Sequence, residues 1–456
     1  MMILPLKRMR GSGTRKKRRV SYDKFCGYAT SEKGTICAVN TLNCDCRGGV
    51  LTTGIGVKPY LSNDGKKIDL LPAMPLQIGV IKQWNGSTAT YKEILCFLDG
   101  RRSVFCVYPG TGSTVNSITA MSNLTKMFAM VDKDRRWRLV MVGNSGLAFY
   151  DMSNTYEKIR ADKMVESACV AKNRLFVGVK PDTLLYSSPD DERKLVNNLD
   201  ECGEIYFTWD VGGMVALKEF NDKVYVFFER GIAEVECAGW GRDFKVRRIP
   251  YEGGKICGGT VGRCGRYIYF AAADGLWQFD GKKAVPVLRE LEIKPSRSVS
   301  GNQAAAFCEG RLLIQYYDTE NILKEVVVYE DGKSGYFSTF KAALTECGDK
   351  AFCYVDDCVQ VVYPDGDLPE LHTYNFETGE MDFGVIGQKV LQKLRFKGSG
   401  SFDFEMQCID KVVKQTLVFE DGVAEMNFSW RGERFSMRFF LHKGAKIEGL
   451  EVEFLE

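Results

Sequence analysis

Four cysteines near the N-terminus form the densest group of potential metal ligands in the chain. Cys26, Cys37, Cys44 and Cys46 fall within 21 residues, and four thiolates can bind Zn²⁺ tetrahedrally. No C-x-x-C pair occurs among them. In a strand, the spacing of Cys44 and Cys46 places both thiols on one face without a turn that would bring them around a metal. The pattern favours structural thiols, and whether this group binds metal stays open.

Residues suited to acid–base or nucleophilic catalysis are scarce. The chain has two histidines, His372 and His442, and neither lies in a serine, cysteine or carboxylate motif. Nucleophile-elbow, H-E-x-x-H and phosphate-loop motifs are missing from the sequence. Asp274-Gly275 before Trp277 is similar to a turn of sialidase-like propellers, but it occurs once, as an ordinary hairpin turn would. We predict that the protein is not an enzyme and needs no cofactor.

Basic residues are concentrated at the N-terminus and are the candidate contacts for nucleic acid or a protein partner. Eight of them precede residue 20: Lys7, Arg8, Arg10, Arg15, Lys16, Lys17, Arg18 and Arg19. Since the net charge of the chain is +3, the part from Val20 onward carries −5. A cationic segment repels itself and has little to bury, so residues 1–22 are predicted to be a disordered basic arm. Three roles stay open for it, namely a solvated tail, a contact to an acidic neighbour, and a contact to DNA phosphates.

The elements that must position any site are repeated β-hairpins. Seven segments each hold two apolar strands around a Gly, Asp or Asn turn, and their starts lie 44, 37, 48, 44, 45 and 38 residues apart. They are Lys92–Tyr108, Arg136–Met152, Asn173–Ser187, Asn221–Cys237, Gly265–Gly281, Gly310–Glu330 and Gly348–Gly366. This period is typical of β-propeller blades, because one hairpin cannot bury its apolar face alone. The repeat predicts a propeller of six or seven blades over residues 76–383, after an irregular, Gly-rich segment at residues 23–75.

Residues 384–456 have a different pattern. Apolar and polar residues alternate in four segments, Val390–Ile409, Val412–Trp430, Arg434–Leu441 and Ile447–Phe454. Four or five antiparallel strands over this length predict a small β-sandwich-like module, and its place after the propeller suits docking or assembly. The chain as a whole is predicted to be all-β.

The sequence also bears on the compartment. It has no run of 18 apolar residues, and the apolar stretch in its first ten residues, MMILPLKRMR, is too short for the core of a signal peptide. We therefore expect no membrane insertion. The 16 cysteines are expected to stay reduced in a cytoplasm.

Four stretches of turns and short strands follow one another along the chain in an order that is informative. They are NCDCRGGVLTTGIG at Asn43–Gly56; RLFVG at Arg174–Gly178 with LYSSPD at Leu185–Asp190; VALKEF at Val215–Phe220 with DKVYVF, IYF and DGL at Asp222–Phe227, Ile268–Phe270 and Asp274–Leu276; and RGERFS at Arg431–Ser436 with AKIEGL at Ala445–Leu450. In this order they resemble the packaged-DNA stabilisation proteins of tailed bacteriophages, which are related to the nozzle proteins of short tails. The resemblance covers most of residues 23–456.

The resemblance implies a structural virion protein that is made in the host cytoplasm and built into the tail. Copies would form a ring, commonly a hexamer in related tails, below the portal and adaptor. This ring would retain packaged DNA and extend its exit channel for ejection. The implied partners are further copies of the chain, the portal or adaptor, other tail proteins, and the DNA in the lumen. An acidic lumen would let DNA slide, because phosphate contacts govern non-specific affinity.

Two other functions fit the repeat without the resemblance. A monomeric propeller could bind a glycan or a protein through its Tyr and Trp residues, as an adhesion module. A propeller hydrolase would need acids and aromatics clustered at the central mouth. Self-assembly or docking to a portal distinguishes the ring from both.

Overall fold

Most described residues in the computed structural model of the chain lie in β-strands. It describes residues 16–27, 34–61, 75–85, 90–99, 104–107, 115–118, 124–132, 136–143, 146–150, 156–159, 164–189, 191–195, 201–298, 305–332, 335–339, 345–347, 350–355, 358–363 and 373–456. These residues form strands and four short 3-10 turns, at Arg47–Gly49, Gly241–Asp243, Gly258–Thr260 and Arg289–Leu291, with no α-helix among them. No helix in this part of the chain is long and apolar enough to cross a membrane. The prediction of an all-β chain is confirmed for the described residues.

The chain forms two units. One spans Gly54–His372, and the other combines Met1–Thr53 with Thr373–Glu456. These bounds differ from the predicted ones, which ended the propeller at residue 383 and gave the C-terminal module no N-terminal residues. The difference arises because strands from both ends of the chain pair with one another, which local sequence patterns do not reveal.

Five strands come from the N-terminal part of the second unit. They are β1 (Lys17–Tyr22), β2 (Lys24–Cys26), β3 (Thr35–Leu42), β4 (Cys44–Asp45) and β5 (Leu51–Thr53). The prediction of a disordered arm through residue 22 is wrong for β1, because its six residues pair with the last strand of the chain. β2 and β3 pair in parallel register, and Phe25 of β2 is completely buried.

The strands described within Gly54–His372 include six four-stranded antiparallel sheets and a seventh set of four antiparallel strands that is part of a larger sheet; in chain order we call these seven sets sheets 1–7. After β6 (Gly56–Pro59), sheet 1 is formed by β7 (Pro75–Asn85), β8 (Thr90–Asp99), β9 (Val104–Val107) and β10 (Val115–Ile118). Sheet 2 is formed by β11 (Leu124–Val131), β12 (Trp137–Gly143), β13 (Gly146–Tyr150) and β14 (Tyr156–Ile159). Sheet 3 is formed by β15 (Val165–Ala171), β16 (Arg174–Val179), β17 (Thr183–Tyr186) and β18 (Gly203–Tyr206). Sheet 4 is formed by β19 (Met214–Phe220), β20 (Lys223–Phe228), β21 (Gly231–Glu236) and β22 (Lys245–Ile249). Sheet 5 is formed by β23 (Gly262–Cys264), β24 (Tyr267–Ala272), β25 (Gly275–Phe279) and β26 (Ala284–Val287). Sheet 6 is formed by β28 (Ala305–Cys308), β29 (Arg311–Asp318), β30 (Leu323–Tyr329) and β31 (Gly335–Ser338). β27 (Pro295–Ser298) also pairs with β29. Sheet 7 is formed by β32 (Thr345–Cys347), β33 (Lys350–Val355), β34 (Cys358–Tyr363) and β6.

The seven predicted hairpins are confirmed as the two central strands of these sheets, from β8–β9 to β33–β34. Local turn chemistry marks where two of the hairpins begin. Lys172-Asn173 and Asn221-Asp222 join the first strand of a sheet to the second and have positive φ at both residues, as tight type I′ turns require. Asn and Asp adopt this conformation more readily than most residues.

Alternate residues of a central strand pack against the sheets on either side. In β12, Leu139 and Met141 belong to a buried cluster with sheet 1, whereas Val140 and Val142 belong to one with sheet 3. The two faces of the strand are therefore both apolar, which is why its sequence reads as a continuous hydrophobic run.

Successive sheets contact one another, and sheet 7 also contacts sheet 1. The first strand of each sheet contacts the first strand of the next sheet, with one exception. Between sheets 4 and 5, β19 contacts the turn Gly258–Thr260, which in turn contacts β24. In sheet 7, β32 contacts β7 of sheet 1. Ile78 and Phe97 of sheet 1 share a buried cluster with Phe352 and Val359 of sheet 7. Sheet 7 takes its fourth strand from β6, whose Val57 pairs with Val362.

The second unit is completed by the C-terminal strands. They are β35 (Tyr374–Thr378), β36 (Lys389–Ser399), β37 (Ser401–Cys408), β38 (Lys411–Val418), β39 (Val423–Gly432), β40 (Ser436–Leu441) and β41 (Lys446–Leu455). One group of strands runs β39-β36-β41-β5-β4 with β1 on β41, and another runs β3-β35-β40-β37-β38. Phe396 of β36 meets Phe404 of β37 and Phe439 of β40 with ring centroids 5.1 and 6.0 Å apart. The two groups thus bury a common aromatic core.

Candidate functional site

The predicted contact residues divide between described and undescribed parts of the chain. Lys7, Arg8, Arg10 and Arg15 lie outside the described residues. Lys16 immediately precedes β1, and Lys17, Arg18 and Arg19 are its first three residues. The candidate site therefore consists of β1 and β41, the strand with which β1 pairs.

β1 lies along β41 in antiparallel register. Lys17 faces Leu455 and Tyr22 faces Leu450, and the backbone N–H of Glu456 donates to the carbonyl of Lys16 at 3.1 Å. Because side chains alternate along a strand, Lys17 and Arg19 share one face while Tyr22 lies on the other, where it is buried.

Each of the three described cations on β1 pairs with a carboxylate of β41 or of the residue after it. Lys17 Nζ lies 2.7 Å and Arg19 Nη2 lies 2.6 Å from Glu453, and Arg18 Nε lies 2.9 Å from Glu456. Hydrogen bonds from Lys17 and then Arg19 lower the pKa of Glu453 to about 2. In the structure, the partners of these cations are thus carboxylates of their own chain.

The charge pattern continues across the next two strands. Lys397 of β36 lies 3.0 Å from Glu451 of β41, and Lys393 and Arg395 of β36 lie 2.5 and 3.2 Å from Glu425 of β39. Cations and carboxylates therefore alternate over β1, β41, β36 and β39, and opposite charges on neighbouring strands stabilise their pairing. The arrangement is suited to holding a basic strand, because its acidic row matches the cations of β1.

The cysteine group occupies the same unit. Cys26 and Cys37 are register partners on β2 and β3, and the Cys44 and Cys46 side chains are buried. Burial, and then the charge of Asp45, raises the pKa of the Cys44 thiol, so it stays protonated. Among the described residues, no three His, Cys, Asp or Glu side chains are arranged to hold a metal ion.

The structure brings a serine and a carboxylate next to His442, a cluster that the sequence did not indicate. Ser401 Oγ lies 2.8 Å from His442 Nδ1, and Asp403 Oδ2 lies 3.3 Å from His442 Nε2. A hydrogen bond from Thr416 at 2.6 Å, followed by His442, lowers the pKa of Asp403. Serine, imidazole and carboxylate are the groups of acyl-transfer sites, but here His442 is 44% and Asp403 is 51% exposed. Water screens the charge of a carboxylate that is this exposed, so the electrostatic attraction between Asp403 and the His442 imidazole is weak. His372 lies outside the described residues.

The Asp274-Gly275 turn has the structural role expected of a hairpin turn. The Asp274 carboxylate accepts hydrogen bonds from the Gly254 backbone at 2.8 Å and from Trp277 Nε1 at 3.1 Å. A cleft of about 920 Å³ opens beside it, lined by apolar residues of sheet 5 and by charged residues that include Glu252 and Arg289. This cleft is a second candidate site, with a volume in the range of small-ligand pockets.

Comparison with known proteins gives no family for the chain. No protein-family model matches it, and no curated protein does. Among solved structures it is similar to BBS1N in complex with ARL6DN, with 9% identity, a TM-score of 0.43, and coverage of 69% of this chain and 98% of that chain. A computationally designed protein gives 12% identity and a TM-score of 0.35, with coverage of 68% and 98%. TM-scores in this range do not establish a shared fold.

Proposed function

We propose that Gly54–His372 is a seven-bladed β-propeller. The seven successive sets of four antiparallel strands support this, as do the contacts between successive sets and the buried cluster that sheet 7 shares with sheet 1. Pairing of β6 with β34 would fasten the two ends of the propeller, because the last blade needs a strand from the start of the chain. Such a closed arrangement leaves few free edges and resists unfolding from its ends.

For the whole chain, the proposed function is that of a structural protein in the virion of a tailed phage. Copies would form a ring, commonly a hexamer, below the portal or adaptor, where the ring stabilises packaged DNA and extends its exit channel. The observation that carries this proposal is the sequence resemblance over residues 23–456. A propeller supplies a rigid wall, and a closed ring has no open interface on which filaments could grow. In this role the protein is neither an enzyme nor a membrane protein.

The experiment that tests this function is a native mass measurement of the full chain, alone and mixed with the portal–adaptor complex of the phage that the proposal implies. A defined ring in either condition supports the proposal. A monomer in both conditions contradicts it.

The alternative is a monomeric propeller that binds a glycan or a protein, and the cleft beside Asp274 favours it. Its apolar lining from β26 and its charged rim, Glu252, Lys283, Arg289 and Lys294, could accommodate a polar ligand with an apolar face. A glycan array with the wild-type chain and an Arg289→Ala variant tests this. Ligands that the wild type binds and the variant loses would support the alternative, whereas an array without specific binding would remove glycans as its ligands.

A further inference from the structure

β1 is bound to the surface of its unit and contributes little to the core. Lys17, Arg18 and Arg19 have side chains that are 64%, 46% and 55% exposed. Tyr22 is the member of the strand that is buried, with Val20 partly buried against the same cluster. Lys17, Arg18 and Arg19 of β1 are therefore held by backbone hydrogen bonds and by ion pairs, which are weak individually when exposed, whereas Tyr22 anchors the other end of the strand against Phe383.

The surface under β1 is specific for a basic strand. Glu453 makes its ion pairs with Lys17 and Arg19, and Glu456 makes its ion pair with Arg18. Without β1, the edge of β41 would present unpaired backbone groups beside these carboxylates. An exposed strand edge recruits another strand, and the carboxylates select one with the charge pattern of β1.

The connection to β1 is short, and the segment that follows is firmly held. Asp23 alone separates β1 from β2. Phe25 of β2 packs edge-to-face on Phe376 and Phe439, with centroids 5.7 and 5.9 Å apart. β1 can therefore leave β41 while β2 stays in place, with Asp23 as the hinge. Short hinges of this kind favour exchange of a terminal element between copies.

We propose that β1 is exchanged between copies of the chain, so that β1 of one copy pairs with β41 of the next. This inference rests on the proposed ring and names the contact that would join its subunits. The exchanged strand would make the same hydrogen bonds and ion pairs as it does within one chain, so the exchange itself loses few contacts. Since each copy donates one strand and receives one, the contact is directional and can close a ring.

Charge reversal on the two strands tests the exchange. Variant A carries Lys17→Glu, Arg18→Glu and Arg19→Glu, and variant B carries Glu453→Lys and Glu456→Lys. Within either variant, β1 and the end of β41 have like charges and repel each other. In an equimolar mixture, opposite charges meet only between an A chain and a B chain. Exchange therefore predicts loss of assembly in each variant alone and mixed A–B species in native mass spectra of the mixture.

Two controls keep the test decisive. A chain with all five reversals restores opposite charges within itself, and its melting temperature shows whether the reversed residues permit folding. Glu448→Lys changes an exposed carboxylate of β41 that faces no β1 cation, and it should assemble as the wild type does. If the five-fold variant folds and the mixture yields no A–B species, exchange is overturned. A wild-type chain that stays monomeric with the portal–adaptor complex refutes the ring instead, so the two failures are distinguishable.

Discussion

A buried hydrogen bond immediately before β6, the fourth strand of sheet 7, can be removed without changing the shape of the core. The Tyr336 hydroxyl accepts the backbone N–H of Ile55 at 3.0 Å, immediately before β6. The Tyr336 side chain is completely buried and Ile55 is 1% exposed. Tyr336→Phe keeps the ring in place but leaves the Ile55 N–H without this acceptor, in a position that water does not reach.

A buried donor that loses its acceptor costs about 1–3 kcal/mol, because its desolvation is no longer compensated. That free energy corresponds to a change of about 5- to 150-fold in a local opening equilibrium. We expect the loss at β6 first, because this four-residue strand joins sheet 7 from a distant part of the sequence.

Hydrogen exchange with mass spectrometry measures this opening in peptides that cover residues 54–60. Tyr206→Phe is the matched control, because Tyr206 is 65% exposed and its hydroxyl bonds to the neighbouring Glu204 side chain. Faster exchange at residues 54–60 in Tyr336→Phe, with wild-type exchange in the control, is the expected result. Unchanged exchange in Tyr336→Phe would refute the argument that this bond fixes β6.

Three further predictions concern the second unit. Glu453 has a lowered pKa, so the contribution of its ion pairs to the pairing of β1 is present above about pH 4.5 and declines as the pH falls toward about 2. The protection of the Lys17–Tyr22 amides from hydrogen exchange, relative to their intrinsic exchange rate at each pH, should fall over that range. Salt at 1 M and neutral pH should also lower this protection. Phe396→Ala removes a completely buried ring and should lower the free energy of unfolding by about 3–5 kcal/mol, measured by urea denaturation. A fluorophosphonate probe should label Ser401 no faster than an ordinary surface serine, because the groups that would activate it are exposed to water.

Each of these predictions has its own control. Glu448→Gln should leave the acid response of β1 unchanged, whereas Glu453→Gln should weaken it. Val412→Ala, at a residue that is 50% exposed, should change the free energy of unfolding by less than about 0.5 kcal/mol. A Ser401→Ala chain gives the background for the probe, and rapid labelling that this variant loses would contradict a non-enzymatic role.

Sequence reasoning located the hairpins but missed the partners of the chain ends. The prediction for residues 1–22 rested on the repulsion among their cations and on how little they can bury, and it did not consider carboxylate partners within the same chain. The carboxylates that bind Lys17 and Arg19 are at Glu451 and Glu453, more than 430 residues away. A signal was present, since both pairs are spaced two residues apart and so lie on one face of a strand. That signal shows which strands are compatible, but it does not show that they meet.

The Ser401, Asp403 and His442 cluster has the same origin. Ser401 and Asp403 share a face of β37 because of their spacing, which the sequence alone implies. Their contact with His442 depends on the pairing of β37 with β40, where Phe402 faces Leu441. No catalytic motif marks this cluster, since the register of paired strands and not a local pattern assembles it.

The sequence by itself determined the strand content, the positions of the seven hairpins and their turns, because alternation of apolar residues and left-handed turn residues act over a few neighbours. Tertiary structure alone decided that β6 completes sheet 7 and that β1 lies on β41. The physical reason is that an open strand edge accepts any segment of compatible pattern and charge. The segment that occupies it is selected by the free energy of the whole fold.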